Sequence, residues 1–152
     1  MARTSTSSSG FTLIEMMLVV ALGLVLAGIA LPNLRTMSQS YRLSAASAVV
    51  TSKVHQARTN SLKRNRPAWV LVDGANRTVQ VQTAGASGPV NIGGPEFLPT
   101  GVVFSTGTAT ATVSFDAMGR AVNPPQTIQL QYPGSGLTRT ITVTSTGRVT
   151  VN

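Results

Sequence analysis

Residues 11–31 read FTLIEMMLVVALGLVLAGIAL, an apolar run of about 21 residues whose single ionisable side chain is Glu15. As a helix such a run spans about 31 Å, one bilayer crossing. The chain therefore begins with a membrane-spanning segment, and its globular structure must be built from the residues carboxyl-terminal to that segment. Glu15 lies near one end of the run. A carboxylate in hydrocarbon costs about 2.5–3.5 kcal/mol at the membrane centre and less near the interface, and a cost of that size marks a function. Ahead of the run stands MARTSTSSSG, short, polar and ending in Gly10.

Pro32 closes the apolar run. It removes one backbone donor and frees the Gly28 carbonyl, which predicts a helix bend or local melting near Gly28. Beyond it an apolar pattern at helical spacing resumes with Leu34, Met37, Tyr41, Ala45 and Ala48, beside a second stripe of Leu43, Ala46, Val50, Val54 and Ala57. A helix continuing to about Leu62 covers both. Gly23, Ala27 and Gly28 are small enough to let neighbouring helices approach closely. This stretch is basic throughout, with Arg35, Arg42, Lys53, Arg58, Lys63, Arg64 and Arg66, and no acid falls between Glu15 and Asp73. Two explanations stand side by side. One is contact with nucleic acid or an acidic partner. The other is a solvated face whose last turn complements the negative end of the helix dipole.

From Pro67 onward the apolar period changes to two. Residues 68–72 and 78–81 flank Asp73-Gly74-Ala75-Asn76, a hairpin signal. Further strands are expected at 101–104, 109–115, 127–132, 138–144 and 148–151, separated by Gly and Pro clusters. Residues 84–99, rich in Gly and Pro, are expected to form a loop. The fold class is α+β, a long helix packed on an antiparallel β-sheet domain, with Trp69, Phe104, Phe115 and Ile141 as core. The expected organisation is a leader at 1–10, a transmembrane half-helix at 11–31, a soluble half-helix at 32–66 and a β-rich domain at 67–152.

The remaining composition narrows the function. With 152 residues, there is room for one globular domain of roughly 90 residues beyond the helix. There is no cysteine, so disulfides and thiolate metal sites are excluded. The formal charge is +8 on only 11% charged residues, and the acids are Glu15, Asp73, Glu96 and Asp116. Such a surface attracts polyanions, while Ser, Thr, Gln and Asn supply solubility and the basic excess opposes self-association. His55 has no Cys, Asp or Glu at ligand spacing, so no metal or other cofactor is expected. G-x-S-x-G, G-x-x-x-x-G-K-[ST] and H-E-x-x-H are all absent from the sequence, and no enzymatic activity is expected.

The junction Gly10-Phe11-Thr12-Leu13-Ile14-Glu15 resembles the processing site of type IV prepilins. It combines a glycine before the cut, phenylalanine after it, glutamate five residues into the mature chain and an apolar remainder; Pro32 falls where pilins carry a helix-bending proline. The resemblance narrows to the GspH/FimT family of pseudopilins and minor pilins. It does so through the stretch from Gln56-Ala57-Arg58 to Arg66, the turn Phe115-Asp116-Ala117-Met118-Gly119-Arg120 and the terminal Gly147-Arg148-Val149. It implies a pilin-like fold and cleavage between Gly10 and Phe11 by a prepilin peptidase, with methylation of the Phe11 amine. It also implies assembly with other pilins or pseudopilins through the amino-terminal helix, where Glu15 pairs with the new amine of a neighbour. A buried pair tolerates what a lone carboxylate does not. The setting implied is the bacterial inner membrane, single-pass, with the carboxyl-terminal domain in the periplasm, in a type II secretion pseudopilus or a type IV pilus.

Some pilus-associated members of that family bind DNA during uptake through a Gly-Arg-x-Arg element. Here Gly147-Arg148-Val149-Thr150 keeps only its first half, and each missing phosphate contact lowers affinity. The candidate DNA contacts are Lys63, Arg64, Arg66, Arg139, Gly147 and Arg148, with Arg120 able to add to them if they share a face. Two other readings of the amino terminus stay open. Gly28-Ile29-Ala30 offers a small-x-small site to a general signal peptidase, and a plain single-span anchor accounts for length but not for Gly10 or Glu15. Arg3 on one flank faces Arg35 and Arg42 on the other; charge bias alone places the carboxyl-terminal domain in the cytoplasm, whereas the processing motif places the leader there.

Overall fold

A computed structural model describes residues 11–105 and 112–152. One helix, α1 (Leu13–Arg64), is followed by β1 (Ala68–Asp73), β2 (Thr78–Gly85), β3 (Gly88–Phe97), β4 (Val103–Phe104), β5 (Thr112–Phe115), β6 (Gln126–Gln131), β7 (Thr138–Val143) and β8 (Val149–Val151). The chain divides into two compact units, residues 1–37 and residues 38–152. In the first, every described side chain from Phe11 to Met37 is exposed. The backbone stays helical through Gly28 and Pro32, so the local melting expected there is not seen. A single lost donor leaves the surrounding turns in place.

The second unit is built on the carboxyl-terminal half of α1. Only one of the two apolar stripes is used: Leu43, Ala46, Val50, Val54 and Ala57 are buried, while Leu34, Met37 and Tyr41 of the other are exposed. Alanines at two of the five buried positions let the sheets approach the helix closely. The helix ends on a left-handed residue, Asn65 at φ 48°. The Arg66 N–H then returns to the Ser61 carbonyl at 3.2 Å, the six-to-one bond of a Schellman cap, with Pro67 preventing continuation.

Two four-stranded antiparallel sheets complete the unit, ordered β3-β2-β1-β5 and β4-β6-β7-β8. In the first, Val70 faces Val81 on one side and Val113 on the other, so the period-two pattern puts Val70, Val72, Val79, Val81, Val113 and Phe115 on one buried face. In the second, Ile128 faces Ile141. Together with Phe104, Leu130 and Val143 these residues join the helix stripe in a single core. The expected hairpin and five further strands are all present within the described residues. The expected strand at 109–115 begins in the segment 106–111, outside the described residues.

Two expectations are corrected. Residues 84–99 do not form a loop: β3 pairs with β2 along the edge of the first sheet. Pro and Gly are tolerated there because an edge strand leaves one row of backbone groups unpaired. The pairing jumps from Val79↔Glu96 to Val81↔Ile92, so Gly93, Gly94 and Pro95 lie opposite Gln80 alone. The Gln80 side-chain amide donates to the Gly93 carbonyl at 3.1 Å and fills that bulge. Trp69, expected in the core, is only half-buried. It lies on the opposite face of β1 from Val70, and its indole N–H donates to Gln82 Oε1 at 2.8 Å. Phe104, Phe115 and Ile141 are buried as expected.

Candidate assembly and basic surfaces

At the start of α1 the Thr12 N–H and hydroxyl both donate to Glu15 Oε2, at 3.2 and 3.3 Å, and the Glu15 N–H donates to Thr12 Oγ1 at 3.3 Å. This is a capping box, Thr-x-x-Glu, in which each residue satisfies a backbone donor of the other. Sequence reasoning assigned Glu15 to a neighbour and missed this local role, although the spacing Thr12-Leu13-Ile14-Glu15 carries the signal. From Leu13 to Leu31 the helix presents apolar side chains on all sides, and among the described residues none covers them.

The candidate basic residues do not form one cluster. Arg139, on β7, donates to Ser44 Oγ at 3.2 Å. Gly147 lies against Arg58, fourteen residues further along α1, and Arg64 and Arg66 stand at the helix end. At 1.5 Å per residue, the positions from Ser44 to Arg64 spread over about 30 Å. Arg148 is exposed near Gly147, and Lys63, Arg64 and Arg66 are exposed as well. Arg64 and Arg66 share an open hollow of about 400 Å³ with Thr83, Ala84, Gly85 and Val90.

Gly147 is buried, and its position is structural. It sits at φ 75°, and a Cβ added there meets Arg58 Nε and the Gly119 carbonyl oxygen at 2.8 Å each. Arg58 donates from Nε to the Gly119 carbonyl and from Nη1 to the Gly147 carbonyl, both at 3.1 Å. One guanidinium thus ties α1 to the turn after β5 and to the turn before β8. Sequence reasoning placed Arg58 on a basic face and in a stretch that carries the family resemblance, without assigning it a bond. The three stretches that narrowed the resemblance meet here: Arg58, from the first, holds the Phe115–Arg120 turn at Gly119 and the terminal stretch at Gly147.

The acids of this unit are all engaged. Asp116 accepts from the Met118 N–H at 2.9 Å, the Arg120 N–H at 2.8 Å and Arg120 Nε at 3.2 Å. The Arg120 backbone bond leads in holding its carboxyl below the usual range. Asp73 accepts from the backbone N–H and side-chain amide of Asn76 at 3.0 and 2.7 Å, and the backbone bond again leads in lowering it. Glu96 pairs with Lys53 at 3.0 Å. Among the described residues no three metal-ligating side chains come together, and His55 is exposed.

A long helix whose carboxyl-terminal half is packed under antiparallel sheets, with an apolar amino-terminal half that no described residue covers, is a pilin-type architecture. The fold resembles two structures of the minor pseudopilin EpsH from the type 2 secretion system of Vibrio cholerae. One matches at TM-score 0.60 and 12% identity over 73% of this chain and 96% of that one. The other matches at 0.58 and 11% over 76% and 97%. Residues 5–31 match the prokaryotic N-terminal methylation motif. Residues 46–147 match the type II transport protein GspH, and the chain belongs to the GspH family. No curated protein gives a significant match.

Proposed function

We propose that this chain is a minor structural subunit of a type II secretion pseudopilus. In this reading it is cut between Gly10 and Phe11 by a prepilin peptidase, methylated on the Phe11 amine and held in the inner membrane by residues 11–31, with its sheet domain in the periplasm. The observation that carries the reading is the match of residues 5–31 to the methylation motif on a helix whose apolar half has no cover among the described residues. Lipid before assembly, and helices of neighbouring subunits after it, supply the missing contacts. Glu15 then pairs with the amine of an adjacent subunit, leaving its Thr12 bonds or sharing with them.

The test is the mass of the mature amino terminus in cells with an active processing enzyme. A chain beginning at methylated Phe11 is expected. Retention of residues 1–10 overturns the reading, and a chain beginning at Leu31 assigns it to conventional secretion. The alternative, DNA uptake, has less support, because its candidate residues are spread along α1 and Gly147 is occupied in packing. A shift of duplex DNA by the chain at moderate salt is the outcome that favours it.

A further inference from the structure

We infer that the hollow between the end of α1 and the β2–β3 hairpin is a docking site for an acidic segment of a different protein, taking a Glu or Asp side chain. This rests on the filament reading only in supplying that protein as a neighbour. The hollow, about 400 Å³, is lined by Arg64, Arg66, Thr83, Ala84, Gly85 and Val90. Both arginines are exposed, and neither has an acidic partner among the described residues. They follow and close the helix, where the C-terminal dipole already favours cations. Thr83 is buried, with its hydroxyl donating to the Pro67 carbonyl, so the remaining lining is largely aliphatic. Two guanidinium-bearing residues beside an aliphatic floor suit a carboxylate on a short aliphatic stem.

Charge decides the occupant. A second copy of this chain is disfavoured, because it carries +8 and its domain acids are already held: Asp73 by Asn76, Glu96 by Lys53 and Asp116 by Arg120. Nucleic acid is disfavoured because only two cations line this open hollow, Arg58 and Arg139 being bound to backbone carbonyls and to Ser44, whereas a phosphate backbone is followed by a run of free cations. An acidic protein segment meets both conditions, and the field of the whole domain steers it in.

The test uses the full processed chain in non-ionic detergent and a fluorescein-labelled hexaglutamate peptide, read by anisotropy at about 0.15 M salt, where unspecific attraction is screened beyond about 8 Å. Saturable binding is expected. Arg64→Gln with Arg66→Gln is expected to weaken it about tenfold or more. The charge-matched pair Arg77→Gln with Arg148→Gln, at exposed positions elsewhere, is expected to change it less than about twofold, because distant charges act only through the screened field. Val90→Glu, at a half-exposed edge position, places a carboxylate in the hollow and is expected to abolish binding. Equal losses in the two double variants reduce the effect to net charge and overturn the site. So does binding of inorganic phosphate or a short DNA duplex at Arg64 and Arg66 without binding of hexaglutamate. A correctly processed, filament-incorporated chain with no affinity for the peptide removes the site and leaves the filament reading standing.

Discussion

Replacing Arg58 by methionine keeps the stem of the side chain and removes its two hydrogen bonds to the Gly119 and Gly147 carbonyls. A bond from a charged donor contributes about 1.5–3 kcal/mol. Because Arg58 is half-exposed and water can reach the freed carbonyls, the lower end applies, about 3 kcal/mol for the pair. With a urea slope of about 2 kcal/mol per molar, the unfolding midpoint falls by about 1.5 M. Gly147→Ala attacks the same junction from the other side. Its left-handed backbone costs a non-glycine residue about 1–2 kcal/mol, and the close approach to Arg58 Nε and the Gly119 oxygen adds about 1–2 kcal/mol. In the double variant the methionine methyl, which replaces Nε, is no longer held by hydrogen bonds and swings away from the added Cβ, so the two losses sum to about 1 kcal/mol less than additivity requires. Trp69, the single tryptophan, reports unfolding by fluorescence in detergent-solubilised protein. A midpoint shift for Arg58→Met below about 0.3 M, or strict additivity in the double variant, would falsify the assignment of Arg58 as the tie between these turns.

The amino-terminal carboxylate has two separable roles. Glu15→Gln keeps an acceptor for the Thr12 N–H but loses the charge, whereas Glu15→Ala loses both; equal exclusion of the two variants from sheared filaments, read by immunoblot, is expected if pairing with a neighbour's amine governs assembly, and normal incorporation of the Gln variant contradicts it. Asp116 is held below its ordinary value of about 3.8, so its contribution is present above about pH 4 and is lost as pH falls through the lower folded value. Asp116→Asn is therefore expected to flatten the acid limb of a Tm-against-pH curve and to leave the ordering of Tm values above pH 5 unchanged by pH; an acid limb as steep as the wild type's refutes the linkage. Phe115→Ala empties a fully buried site and is expected to cost about 3–5 kcal/mol, while Trp69→Phe loses one bond on a half-buried face and is expected to cost about 1 kcal/mol; circular dichroism on urea unfolding ranks them, and a reversed order places the core on the wrong face of β1.

Much of this architecture was readable where local pattern and packing agree. The helix stripe of Leu43, Ala46, Val50, Val54 and Ala57 and the alternating strands around Val70, Val81 and Val113 bury the faces that periodicity assigned to them. Reading failed where an element is stabilised without burying side chains. β3 is exposed at nearly every position, so no alternation marks it, and its glycines and prolines imitate a loop while its backbone pairs with β2. Trp69 was misplaced because size suggested the core, whereas parity with Val70 puts it on the opposite face. The methylation motif over residues 5–31 was legible because it is a run of neighbours in sequence, whereas the Thr12–Glu15 capping box, equally local, was overlooked in favour of a partner outside the chain. The Arg58 junction was not legible, since its partners lie 61 and 89 residues away and only tertiary contact brings them together. The hollow at Arg64 and Arg66 is likewise made by β2 and β3 closing beside the helix end.

The two turns that Arg58 holds belong to different sheets, since the one follows β5 of the first sheet and the other precedes β8 of the second. Both sheets are thus pinned through a single helical residue, and neither peels away from the helix without breaking a charged bond at that point. The seam between the sheets is closed from the helix side, and it opens only as the whole unit comes apart.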